Sequence, residues 1–219
     1  MIQSNFREWT LEKIEDVFGL QQVRHLSALT AWLAYPYQIN DFEKRYLTEL
    51  QEVYLLGGDD WNEVELENKF ISPLIVFAKI DNKRFAYFLE RELAVAIGEY
   101  NLSGKVDGMI ASGFRSPRKP YFCLNEYKRQ TASDDCPANG DPRGQVLIAM
   151  LTAQHLNDGP NPVLGCYIIG KSWTFVCLQG DYYAVSEAYT ADGEGIFDIF
   201  RIIKGLHYQI EQQLDTPVA

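Results

Sequence analysis

The sequence predicts a mixed α/β (α+β) fold: a central mixed sheet flanked by helices, with a helical extension at the N-terminus. Three observations carry the α/β expectation. Apolar residues recur at helical spacing through much of the stretch before residue 80. Between residues 85 and 185 the texture changes to short β-prone runs, broken once by a helical pattern at 143–156. A last amphipathic stretch, Gly195–Leu214, closes the pattern. Helices, strands, one helix, strands and a final helix form the order of an α+β or three-layer domain. The expected division is residues 1–60 as an extension docked on the core, and residues 61–219 as the core.

Thr10 can cap a first helix, with Leu11, Ile14, Val17 and Phe18 on one stripe. Asp41 starts another, with Phe42, Tyr46, Leu50 and Tyr54 at four-residue steps, and Gly57-Gly58 ends it. Asn62 caps a third, with carboxylates at its positive end. That helix reaches about Ala78, with Pro73 placed to kink it. Phe85–Leu89 and Leu93–Ile97 are short β-prone or mixed runs. Lys105–Ala111 and Pro120–Lys128 read as strands, joined by a turn-rich basic stretch. Thr131–Pro142 reads as a loop. Val163–Ile169, Thr174–Leu178 and Tyr182–Val185 complete the sheet.

Lys and Arg number 20 against 30 Asp and Glu, a net charge of −10. A field of that sign does not draw in a polyanion, so nucleic-acid contact has to come from a local basic patch or a metal ion. The apolar share of 47% excludes a disordered chain. Runs such as Ile71–Ala78 are too short to span a bilayer, so no membrane partner is expected. Cys123, Cys136, Cys166 and Cys177 form no C-x-x-C pair and have no histidines at ligand spacing. They read as reduced core thiols. His25, His155 and His207 lack partners at ligand spacing. The polar, charged stretch Met1–Asp16 lacks the apolar core of a secretory signal, which points to a cytoplasmic protein. No phosphate-cradling glycine loop and no nucleophile elbow occurs.

The chemistry concentrates in Val106-Asp107-Gly108 and in Glu126-Tyr127-Lys128. Side chains two apart on a strand share a face, so Glu126 and Lys128 point the same way. If the two strands are neighbours, Asp107 lies beside Glu126. Two carboxylates and an ammonium would then meet, an expensive group to bury unless something pairs it. Magnesium is a natural partner, because it takes a few hard oxygen ligands and keeps waters. A solvated Glu–Lys pair on a strand face is the ordinary alternative.

Asp107, followed after a loop by Glu126-x-Lys128, resembles the PD-(D/E)XK signature of restriction-endonuclease-like nucleases, over roughly residues 61–178. Within that superfamily the chain most resembles the N-terminal nuclease domain of type I restriction enzyme motor subunits and small stand-alone relatives. The acidic helix from Asn62-Glu63, the Gly104–Gly108 segment, Gln145 and the run Val163-Leu164-Gly165 to Trp173-Thr174-Phe175 carry the rest of the likeness. Val106 stands where the motif has its proline. The resemblance implies metal-assisted hydrolysis of DNA phosphodiesters, as in restriction or phage defence, with Mg²⁺ or Mn²⁺ as cofactor. It implies Asp107 and Glu126 as metal ligands with the Tyr127 carbonyl, Lys128 serving the attacking water, Glu63 as an outer acidic partner and Gln145 as a positioning group.

Between Arg115 and Arg129 the charge reverses, with Arg115, Arg118, Lys119, Lys128 and Arg129 against Glu126. That stretch, extended by Arg143, is the expected phosphate-contact patch, for DNA held at low affinity. Asp134, Asp135 and Asp141 would repel phosphate if they faced the site. No motor, methylase or recognition segment accompanies the core. The contrasting expectation is therefore a catalytically silent nuclease-fold module that binds a protein partner or a second copy of itself in a defence or mobile-element system.

Overall fold

The computed structural model describes residues 1–130, 140–157 and 159–215. Its strands are β1 (Ile2–Asn5), β2 (Gln21–Gln22), β3 (Phe85–Ile97), β4 (Tyr100–Ser112), β5 (Arg118–Lys128), β6 (Val163–Ile169), β7 (Ser172–Gln179), β8 (Tyr182–Val185) and β9 (Tyr189–Thr190). Its α-helices are α1 (Leu11–Phe18), α2 (Ser27–Leu33), α3 (Asp41–Leu55), α4 (Glu63–Leu66), α5 (Ser72–Phe77), α6 (Pro142–Leu156) and α7 (Gly195–Asp215). The strands make one mixed sheet in the order β1-β4-β5-β6-β7-β8-β2, with β3 along β4 and β9 on β7. Pairing is parallel for β1–β4, β5–β6 and β2–β8 and antiparallel for the others. The mixed α/β class, a central mixed sheet flanked by helices, is as the sequence predicts.

Each face of the sheet has its own core. On one, Trp32 of α2, Leu47 of α3, Leu74 of α5 and Phe200 of α7 pack with Phe175 and Cys166. On the other, α6 lies over Leu124 and Val176, and Trp9 and Ile14 of the N-terminal segment join the same cluster. Helix α6 is buried from Gly144 through Ala153, because the sheet and the N-terminal segment hold it from two sides. That explains a helix apolar on nearly every face. Cys123, Cys166 and Cys177 are buried free thiols, and burial pushes the Cys177 thiol up to about 12. Cys136 lies outside the described residues, as does most of the stretch read as a loop, 131–139.

Most helix limits follow from local chemistry. Thr10 caps α1 by accepting from the Lys13 N–H, and Asn40 and Asn62 each form a reciprocal capping box, with Glu43 and Glu65. Pro73 does not break its helix. The turn before it, Glu67–Ile71, widens to π geometry, with the Ser72 N–H bonded to the Glu67 carbonyl. A proline ring crowds the carbonyl four residues back, and one wider turn is a known way to absorb that misfit.

Two differences from the sequence reading stand out. The runs Phe85–Leu89 and Leu93–Ile97 are one 13-residue strand, broken in register at Glu90, whose φ is 55°. The first sixty residues are also more than a helical extension. β1 pairs with β4 and β2 with β8, at opposite ends of the sheet path, so residues 1–22 cross the α6 face between its two margins. Strands of four and two residues, reading Ile-Gln-Ser-Asn and Gln-Gln, carry no period-two signal; tertiary pairing alone makes them.

The crossing requires close approach at Gly144. A Cβ there would lie 2.2 Å from the Trp9 carbonyl oxygen and 2.8 Å from the Thr10 Cα, both backbone atoms. Gly144→Ala is expected to lower stability by about 1–3 kcal/mol, read by urea denaturation. Wild-type stability in that variant would contradict the packing of the N-terminal segment on α6.

Candidate active site

The site forms where the sheet forks. β4 and β5 pair from Ser112 opposite Arg118 to Gly108 opposite Asn125, and there the ladder ends. Beyond it β4 continues with β1, through Tyr100–Ser103, while β5 continues with β6 to Lys128 opposite Ile169. Just past the last β4–β5 pairing, the Tyr127 N–H donates to Asp107 Oδ2 at 2.6 Å. Asp107 is thereby fixed in the throat of the fork, one register step from Gly108 and across from Glu126. Lys128 Nζ donates to Glu126 Oε1 at 2.6 Å, and these side chains are only 6% and 8% exposed. Glu63, the first residue of α4 and half exposed, brings Oε1 to 4.0 Å from Lys128 Nζ.

The backbone under Asp107 is tightly packed. The Tyr87 and Tyr127 hydroxyls share a 2.6 Å hydrogen bond, and a Cβ at Gly108 would fall 2.5 Å from the Tyr127 hydroxyl. Glycine therefore follows Asp107 for want of space. The tyrosine pair and the Tyr127 N–H together leave the aspartate little freedom to turn.

The electrostatics are dominated by burial and by like charges. Burial raises Asp107 above the usual carboxylate range, opposed by the Tyr127 N–H and Lys128 and reinforced by Glu63 and Glu90. Glu126 is pushed up to about 7, first by burial and then by Asp107, against the pull of Lys128. Burial works against the charge on Lys128, but Glu126, Glu63 and Asp107 outweigh it, so its pKa is raised. Glu67, on the π turn, is also raised, by burial and by the charges of Glu90 and Asp107. Carboxylates thus outnumber the one ammonium held among them.

Of the other residues singled out in the sequence, Gln145 is buried early in α6, beside Gly140, where a Cβ would come 2.7 Å from its Nε2. Arg143 is exposed in the same turn, with Nε 3.1 Å from Asp141 Oδ1. Asp141 also caps α6 by accepting from the Arg143 N–H, so it has a structural task. Asp134 and Asp135 lie outside the described residues. Arg129 follows Lys128 and lines an open groove of about 460 Å³ with Asn62–Glu65. The expected basic patch is divided. Arg115, Arg118 and Lys119 sit at the β4–β5 turn, at the far end of β5 from Lys128. Arg118 sits opposite Ser112, five β4 residues from Asp107, which at about 3.3 Å per residue puts that end of the hairpin roughly 17 Å from the carboxylates. Counting charges along the sequence joined what an extended strand separates.

Two neighbours escaped the sequence reading. Glu90 acts on Asp107 from β3, and the gap between two β-prone runs was its only trace. Tyr167 of β6 pairs in register with Glu126; parallel register is set by the crossover through α6 and leaves no local mark. Among the described residues no group of three or more His, Cys, Asp or Glu side chains is arranged to hold a metal ion unaided. The two carboxylates that act on one another here are those of Asp107 and Glu126, the first held by the Tyr127 N–H. No helix among the described residues is long and apolar enough to cross a membrane. A scan of protein-family models and a search of curated proteins return no match to the chain.

The raised Glu126 sets a pH dependence. The folded state holds its proton more tightly than the unfolded state, so stability present below the ordinary pKa near 4.5 is lost as pH rises through about 7. The loss is on the order of 3 kcal/mol at most. Denaturation in chelator between pH 5 and 8 is expected to show this fall in the wild type and a flatter profile in Glu126→Gln. Equal slopes in the two proteins would contradict the burial of an ionised Glu126.

Proposed function

We propose that the protein is a metal-dependent hydrolase of DNA phosphodiester bonds, built on a restriction-endonuclease-like core. The observation that carries this reading is the buried Glu126–Lys128 pair with the partly buried Asp107 beside it in the fork of the sheet. A fold has little structural use for a buried, paired carboxylate set against a second carboxylate that repels it. Perturbed carboxylates of this kind are a mark of functional sites.

The residues fit a hard divalent cation. Asp107 and Glu126 supply anionic oxygen, the Tyr127 carbonyl can add a neutral one, and magnesium keeps waters in its remaining positions. A bound magnesium ion would supply charge neutralisation at the phosphate and a more acidic water. The chain's own groups do the rest. Lys128, held by Glu126, presents an ammonium that can donate to a phosphate oxygen or orient the attacking water. Glu63, half exposed, stands 4.0 Å from Lys128 and lines the groove shared with Arg129. Gln145 serves as a positioning group from α6. Arg129 and Arg143 contact the backbone of the bound strand; Arg115, Arg118 and Lys119 would touch only DNA that extends along the hairpin.

Purified protein is expected to nick or cut plasmid DNA with Mg²⁺ or Mn²⁺. Asp107→Asn keeps an acceptor for the Tyr127 N–H, and both it and Lys128→Ala are expected to lower the rate about 100-fold or more. Circular dichroism checks that each variant is folded. Metal-dependent cutting that survives both substitutions would refute the assignment. The net charge of −10 favours a second reading, a catalytically silent module that binds a protein partner or a second copy, and stable partner capture without cleavage would support it.

A further inference from the structure

A second cavity, of about 180 Å³, lies on the α6 face of the sheet beside the carboxylates. Its walls are Leu147 of α6 with Val176 and Val185 of β7 and β8, and Leu11 of α1 lines it too. Its two aromatic walls are Tyr167 and Tyr183, and its polar edge is Gln22 and Arg143. The size is that of a cavity admitting one aromatic ring, for which about 150 Å³ suffices. The Tyr183 hydroxyl donates to Glu15 Oε1 at 2.7 Å, which fixes that ring. Arg143 lines the same cavity as both rings, and its charge acts on the hydroxyls of Tyr167 and Tyr183.

The position of this cavity gives it meaning. Tyr167 pairs in register with Glu126, one strand spacing of about 4.8 Å away. Side chains paired across neighbouring strands point to the same face, so Tyr167 stands next to Glu126 under the start of α6. Arg143 lies in the first turn of that helix, two residues from Gln145. A planar ring between Tyr167 and Tyr183 would place its attached sugar and phosphate at Arg143.

We propose that this cavity binds an unpaired nucleobase of the strand whose phosphate lies at Asp107 and Glu126. The inference rests on the hydrolase reading and adds a substrate class to it: single-stranded or locally unpaired nucleic acid. Stacking on tyrosine accepts any base, and the Gln22 amide and Arg143 can hydrogen-bond a base edge or the adjoining phosphate. Leu11 forms part of the enclosure, so the crossing N-terminal segment helps complete the subsite.

The test uses the full chain in chelator, so that binding is read without chemistry. Titration with thymidine or deoxyadenosine monophosphate is expected to shift the methyl resonances of Leu147, Val176, Val185 and Leu11. Val176→Phe fills the cavity and is expected to weaken binding of a labelled 12-nucleotide single strand about tenfold, with duplex binding changed much less. Methyl resonances unmoved at saturating nucleotide, or single-strand affinity unchanged in a folded Val176→Phe, would overturn the proposal. The two readings fail separately. Metal-dependent cleavage with silent cavity methyls leaves the hydrolase and removes the subsite; responsive methyls without cleavage leave a nucleotide-binding pocket and remove the hydrolase.

Discussion

Glu126 is a buried carboxylate paired with the ammonium of Lys128, with the partly buried Asp107 beside it, and much of the surrounding architecture serves to keep them there. Burial and mutual repulsion raise both acids, while Lys128 remains charged because its neighbours outweigh its own desolvation. Such a group is stable only when its geometry is imposed from outside. The fork between β4 and β5 imposes it, since the Tyr127 N–H, past the end of the ladder, takes Asp107 as its acceptor. Gly108 admits the Tyr87–Tyr127 pair beneath, and the interior of the fold closes the arrangement on that side.

The covering elements extend the same logic. Helix α6 carries Gln145 and Arg143 over the end of β5, and it is held down by an N-terminal segment anchored in the sheet at both ends. The helix on the opposite face begins at Glu63 and passes through a π turn at Glu67, so two of its acids reach the neighbourhood of Lys128 and Asp107. Arg129 and Arg143 are the cations at this margin, the first set beside the acids Glu63 and Glu65 and the second beside Asp141.

What was legible in the sequence follows a physical rule. Elements whose signal is local were readable: the Thr10 and Asn62 caps, the amphipathic stripe of α7, and the apolar strands β5 to β7. The Asp107 and Glu-x-Lys segments were readable too, because strand alternation and one hairpin fix their relation. Elements made by distant pairing were not. β1 and β2 are too short and polar to announce themselves, and Tyr167 reaches Glu126 only through the register of a crossover. The basic patch failed for a related reason, since the five cations near one another in sequence are divided between the two ends of β5.

Crystals of the protein soaked in Mn²⁺ and measured at the manganese absorption edge put the account to the test without reference to any substrate. Anomalous density bonded to oxygens of both Asp107 and Glu126, with Lys128 displaced from its present 2.6 Å contact or retained beside it, is the result expected. Ordered Asp107 and Glu126 side chains with no density between them at millimolar Mn²⁺ would contradict it.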